Sequence, residues 1–151
     1  MEPELKSHNM QLAKNLILQV FFFLEEQYFY NTVLEAIDDR TFIECLDVEY
    51  INEIKRRKIR VSYIKSKVYN EVKYTFNGSI TRIPYIGNED FFSLSNYLKS
   101  KNKDFSTSLT RDFNEPEAKN ILTQIAVAFK KYASNIIDGK EWLETYYPRK
   151  D

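Results

Sequence analysis

The chain has 151 residues and sets 22 Lys and Arg against 22 Asp and Glu, so it carries no formal net charge at pH 7; this predicts one domain, residues 1–151, and excludes the sustained positive field that nonspecific nucleic-acid or anionic-membrane binding needs. With 43% apolar and 29% charged residues it can bury about 68 to 70% of its unfolded surface, which excludes general disorder. One cysteine, Cys45, and one histidine, His8, exclude an internal disulfide and a Cys/His zinc site built by this chain alone, and 3 Gly with 4 Pro exclude a Gly-rich phosphate loop.

No Gly or Pro interrupts residues 4–30, where apolar side chains recur at Leu5, Leu12, Leu16, Val20, Phe23 and Leu24, with Ile17, Phe21 and Tyr28 beside them. This predicts a long N-terminal helix. From Leu16 to Tyr30 the apolar residues spread around most of the circumference, which suits a central core helix or a homodimer contact. Thr32 followed by Glu35 has capping-box spacing, so the helix is expected to break near Asn31 and restart to about Ile37. Residues 41–46 read as a strand, and Asp47 as the cap of a helix over 48–58.

Alternation over Ile59, Val61 and Tyr63, then over Val72, Tyr74 and Phe76, predicts two antiparallel strands joined by a turn within 66–70. Asn77-Gly78 is the strongest hairpin signal and predicts a third strand over 79–83, which Pro84 ends or displaces to an edge. Asn88 reads as the N-cap of a helix with Glu89 and Asp90 in its first turn, Phe91, Leu94 and Leu98 as its stripe, and lysines at its far end. Residues 100–114 are polar, a loop or marginal helix anchored by Phe105, Leu109 and Phe113. The last long helix has Asn114 as cap, Pro116 in its first turn, Glu117 in capping-box position and Asp138-Gly139 at its close. Its stripe is Ile121, Leu122, Ile125, Phe129, Tyr132, Ala133 and Ile136. Residues 140–147, with Trp142, Leu143, Tyr146 and Tyr147, predict a short final helix that Pro148 ends. The expected fold is α+β: a long N-terminal helix, a small antiparallel β-meander and two or three further helices packed on one face.

The first residues lack the basic start and small-residue cleavage site of a signal peptide, and the apolar run 16–24 is too short to span a bilayer. A cytoplasmic protein is expected. With one imidazole near the terminus, no Ser/His/Asp or Cys/His set can be assembled, so no catalytic residue is assigned. His8 reads as a solvent-facing first-turn residue, and Cys45, between Ile43 and Leu46, as a small buried hydrophobe. Asp38, Asp39, Glu44, Asp47 and Glu49 could in principle hold a metal or serve as acid and base, but a solvated acidic face is the simpler reading, and neither metal nor cofactor is expected.

Charge order says more than any motif. Glu35, Asp38, Asp39, Glu44, Asp47, Glu49 and Glu53 stand against Arg40 alone, and are followed by Lys55, Arg56, Arg57, Lys58, Arg60, Lys65 and Lys67 with no acid between. Either the two segments face each other and neutralise, or the acidic one presents a face to a partner protein of opposite sign. Tyr63 and Tyr69 within the basic segment would also suit single-stranded nucleic acid, which ranks below a protein partner because the segment reads as a strand. The aromatic excess supports an alternative from another class, a small-ligand or enzymatic domain with a pocket lined by Tyr63, Tyr74, Tyr85 and Trp142.

The tyrosine-rich strand Glu71-Val72-Lys73-Tyr74-Thr75-Phe76, and the helix end Lys131-Tyr132-Ala133-Ser134-Asn135-Ile136-Ile137-Asp138-Gly139 with Trp142 just after, give the last half of the chain a texture that resembles small bacterial immunity proteins of polymorphic-toxin systems. The resemblance implies a stand-alone protein that binds and blocks a toxin domain. Immunity partners of nuclease toxins are often acidic overall, and the neutrality of this chain departs from that, leaving the toxin type open. No motif matches, so no binding residue is carried over.

Overall fold

Helix capping and period-two alternation divide the chain into elements, and the computed structural model describes residues 7–36, 42–109 and 112–142. Ser7 caps α1 (His8–Val20), its side-chain oxygen accepting the Met10 N–H at 3.0 Å. The chain turns at Phe21 and continues as α2 (Phe22–Glu26). Phe29 then stops it in the left-handed region, at φ 63°. Its N–H donates to the Glu25 carbonyl and that of Tyr30 to the Leu24 carbonyl, and these two bonds close the end of α2. The expected single long helix is therefore two helices. Composition hides the stop because a phenylalanine holds the position that glycine usually fills.

Four strands follow as an antiparallel meander, β1 (Asn31–Ala36), β2 (Glu44–Asn52), β3 (Arg57–Val68) and β4 (Glu71–Arg82). Two short strands, β5 (Phe91–Ser93) and β6 (Ser108–Leu109), share the outer edge of β4 and complete a six-stranded sheet. This meander is larger than the small one expected, and it absorbs two predicted helices. The capping-box pair lies in β1, where the Thr32 hydroxyl donates to the Glu25 carboxylate instead of capping a helix. Within 48–58, Val48 and Tyr50 face the core and alternate with Glu49 and Ile51, so β2 and the start of β3 replace the helix.

The Asn77-Gly78 hairpin is also corrected. Those residues sit inside β4, and the turn is Tyr69-Asn70, both at positive φ (51° and 66°) between the paired Val68 and Glu71. Two central residues at φ > 0 in a two-residue loop make a type I′ turn. Gly78 is required for another reason: a Cβ there would lie 2.8 Å from the Phe129 ring.

Asn88–Asp90 forms one 3-10 turn, not a helix start, because Phe92 is drawn into β5 opposite Ile80. The helix begins later, as α3 (Leu94–Ser100) capped by Ser93. The Asn114 side chain accepts the Glu117 N–H at 3.0 Å and starts α4 (Glu115–Tyr132), with Pro116 in the first turn and Lys130 and Lys131 in the last. A break at Ala133 separates α5 (Ser134–Ile137), and Gly139, at φ 80°, ends it as expected. Of the expected final helix, residues 140–142 are non-helical and 143–147 lie outside the described residues.

The core fills one face of the sheet. Leu46, Val48, Tyr50, Ile59, Val61, Tyr63, Phe76 and Ile80 are buried with Ile17, Phe21 and Leu24 of α1 and α2 and with Leu122, Ile125 and Phe129 of α4. The apolar spread of residues 16–30 is largely spent here. The Tyr30 hydroxyl donates to the Ile137 carbonyl at 2.6 Å and ties the start of β1 to α5. The other face carries Asp47, Glu49, Lys58, Arg60, Ser62, Asn77 and Ser79 in register. Among the described residues no helix is long and apolar enough to cross a membrane.

Candidate functional site

The acidic candidates separate once the strands pair. Asp38 and Asp39 lie outside the described residues. Glu44 sits on the core side and accepts the Tyr63 hydroxyl at 2.9 Å. Glu35, Asp47 and Glu49 share the open face, and Glu53 is exposed in the β2–β3 loop. Asp47 and Glu49 are each 8% exposed and lie against β3. The Arg60 guanidinium reaches Glu49 at 3.1 Å and Asp47 at 3.6 Å, Lys58 Nζ reaches Glu49 at 3.6 Å, and the Ser62 hydroxyl donates to Asp47 at 2.6 Å. Antiparallel register thus turns a charge polarity along the sequence into pairing across one hairpin. No three His, Cys, Asp or Glu side chains gather to hold a metal ion among the described residues.

The aromatic candidates lie in three places. Tyr63 and Tyr74 stack at 6.4 Å in the core beside Phe113. Tyr85 is 58% exposed in the loop after β4. Trp142 packs on Phe92 at 5.6 Å at the end of the sheet where Arg57 and Arg82 are paired. The structure does not bring the four around one cavity.

What it does assemble is a cleft at that end. Asn52 shapes the β2–β3 loop, its Oδ1 accepting the Lys55 N–H at 2.9 Å while its Nδ2 donates to the Tyr28 and Phe29 carbonyls. Arg56 then takes φ 61° and is bound to Ile83 twice: its carbonyl accepts the Ile83 N–H at 2.9 Å, and its Nε donates to the Ile83 carbonyl at 3.1 Å. On the other side, the buried Asp90 carboxylate accepts the backbone N–H groups of Ile86 and Gly87 and the Arg82 guanidinium at 2.7 Å. The Ile86 N–H first, then Arg82 and Gly87, hold its carboxyl below the usual carboxylate range. Two loops some thirty residues apart are locked together this way.

Arg57 forms the floor and is 5% exposed. Its Nε donates to the Ile136 carbonyl and its terminal nitrogens to the carbonyls of Lys55, Arg56 and Glu141, at 2.9 to 3.2 Å. All of these acceptors are backbone carbonyls, so the charge is solvated by dipoles, and burial lowers its pKa from the ordinary arginine value. The Trp142 ring lies 4.9 Å from the Arg57 guanidinium carbon and 5.2 Å from that of Arg82, while its Nε1 donates to the Glu89 carbonyl at 2.6 Å.

The resulting cleft, about 490 Å³, is lined by Lys55, Arg56, Arg57 and Arg82 against Glu89 and Asp90, with Ile54, Pro84 and Ile86 at its rim. Ile54 is 95% exposed and Ile86 81%. Phe29 stands nearby, its ring 5.9 Å from Lys55 Nζ. Asp90 is committed to Arg82, and Lys55 to Asp138 at 2.9 Å, which leaves Arg56 and Arg57 against Glu89, a surplus of one positive charge. Cations and exposed aliphatic groups can bind an acidic, apolar surface; they do not form a nucleophile with its base. Sequence reasoning missed Ile54 and Ile86. Their one signal was an aliphatic side chain set alone among turn residues.

No family model matches this chain, and neither a curated protein nor a solved structure does.

Proposed function

We propose that this chain is a noncatalytic, cytoplasmic protein-recognition module whose partner presents an acidic segment carrying apolar side chains. The observation that carries the reading is the concentration of Ile54 and Ile86, both almost wholly exposed, around a cleft whose surplus charge is positive. Exposed aliphatic anchors ringed by charge are what a protein interface uses for affinity and steering respectively. A toxin domain is the partner class that the resemblance of the C-terminal half implies, and neutralising it would be the biological role. The acids Asp47 and Glu49 serve the module from within, as partners of Arg60 and Lys58.

The test is affinity capture from the source cell with the wild-type chain and with Ile54→Asp/Ile86→Asp, at low and high salt, with mass spectrometry of the eluate. Both isoleucines are exposed, so the double variant keeps its circular dichroism spectrum. One stoichiometric protein, weakened by salt and lost with the double variant, is the expected result. Capture unchanged by the variant, or no capture at either salt, overturns the reading.

A further inference from the structure

The two edges of the sheet are finished differently. The outer side of β4 carries only β5 and β6, three and two residues long, with α3 between them in the chain. Short, interrupted strands are one way a sheet edge is closed to further pairing. β1 is six residues long, pairs one-to-one with β2, and contains no lysine, proline or glycine. Among the described residues no strand pairs with its outer side. The backbone groups there are a template for one more strand.

A groove of about 560 Å³ runs beside that edge, with Leu18, Phe22 and Glu25 of α1 and α2 on one side and Thr32, Val33 and Leu34 of β1 on the other. Thr32 and Leu34 lie opposite Tyr50 and Val48, so they point to the helix side of the sheet. Asn31, Val33 and Glu35 lie opposite Ile51, Glu49 and Asp47 and point to the open side. Phe22 is 50% exposed and Val33 49%, so an apolar group stands bare on each side of the same edge. Paired strands lie about 4.8 Å apart. One added beside β1 would cover both groups at once and hang alternate side chains into the groove.

We infer that the added strand is β1 of a second copy, so that two chains join their sheets into one. Antiparallel pairing about a twofold axis at Val33 sets Val33 against Val33, Asn31 against Glu35 and Thr32 against Leu34, each pair on one side of the sheet. The Asn31 amide donates to the Glu35 carboxylate twice by symmetry, and the one charge on β1 meets a donor instead of a like charge. Leu34 of each copy enters the groove of the other, over Leu18 and Phe22. An axis at Leu34 would instead set Val33 against Glu35, so the pattern of apolar and polar residues selects one register. A chain without net charge brings no long-range repulsion to the encounter. The inference does not rest on the basic cleft, since it uses different residues and a different partner.

Sedimentation equilibrium of the full chain over a wide range of concentration is the test, and a monomer–dimer equilibrium is the expected result. Val33→Lys changes an exposed residue, keeps the circular dichroism spectrum, and sets lysine against lysine at the twofold; it should weaken the dimer about tenfold. Asn31→Lys sets a cation against Glu35 of the other copy twice, and should strengthen the dimer about threefold to tenfold. Hydrogen exchange should show β1 amides gaining protection as concentration rises in wild type and not in Val33→Lys. A chain that stays monomeric, a dimer indifferent to Val33→Lys or not strengthened by Asn31→Lys, or a dimer lost only with Ile54→Asp/Ile86→Asp would overturn the assignment. So would β1 amides that gain protection only when the protein captured from the source cell is added, which would give the edge to that partner.

Discussion

Phe129 lies on the sheet at the one point where β4 has no side chain to hold it off. A Cβ at residue 78 would sit 2.8 Å from two carbons of that ring and 3.4 Å from Ile125 Cγ2. The ring cannot move aside freely, since Phe129 is wholly buried and packs edge-on against Phe21 at 6.0 Å. Alanine normally stabilises a strand relative to glycine by about 0.5 to 1 kcal/mol. Here overpacking, about 1 to 3 kcal/mol, opposes and exceeds that gain. Gly78→Ala should therefore lower the urea midpoint with an unchanged slope. Phe129→Leu should cost less in the Gly78→Ala background than in the wild type, a coupling that a double-mutant cycle reads directly. A midpoint at or above wild type for Gly78→Ala would show that the helix-to-sheet spacing is not set by this glycine.

At the scale of elements, most positive-φ turns among the described residues are made without glycine, Gly139 being the exception. Phe29, Arg56, Tyr69, Asn70 and Asn102 all take positive φ, a conformation that costs an ordinary L-residue about 1 to 2 kcal/mol. Tyr69 is 98% exposed and brings no packing to offset that cost. Replacing Tyr69-Asn70 by Asn-Gly, the pair a type I′ turn prefers, should stabilise the β3–β4 hairpin by about 1 kcal/mol and raise the melting temperature by about 2 to 4 °C. A melting temperature that stays put or falls would mean that Tyr69 contributes something the turn geometry does not show. The same turn explains what sequence could and could not disclose. Strands around 59–63 and 72–76, the Asn114 cap and the Gly139 stop were legible because alternation and capping are local. The Asn-Gly signal misled because position 78 answers to α4, fifty residues away. In β2, Asp47 and Glu49 argue locally against a strand; they become tolerable only when Ser62, Arg60 and Lys58 arrive opposite them in register. The basic cleft was illegible for the same reason, since neither the Ile54 loop nor the Ile86 loop forms it alone.

For the molecule as a whole, ionisation limits stability at the two ends of the pH scale. At the acid end, Asp90 and Asp138 are held below the usual carboxylate range, Asp90 first by the Ile86 N–H and Asp138 first by Lys55. A depressed carboxyl adds stability that is complete above its unfolded value, about 3.9, and is lost as pH falls from there through the folded value. At the alkaline end, burial raises the phenols of Tyr30, Tyr50 and Tyr63 above the ordinary value. A raised phenol adds stability that is complete below the unfolded value, about 10, and is lost as pH rises beyond it. His8 is the chain's one histidine, so the side chains that usually titrate between pH 5 and 8 are nearly absent. Stability measured by urea midpoints should form a plateau from about pH 5 to about pH 9, with a fall on either side. Asp90→Asn should start from a lower plateau and show a shallower acid fall, because its group no longer takes up a proton on unfolding. Tyr63→Phe should likewise flatten the alkaline fall, since it retains the ring packing against Phe76 and Tyr74 while removing an ionisable group. A midpoint that drops steadily between pH 5 and 9, or an acid limb unchanged in Asp90→Asn, would mean that the groups governing stability are not the buried carboxylate and phenols identified in this fold.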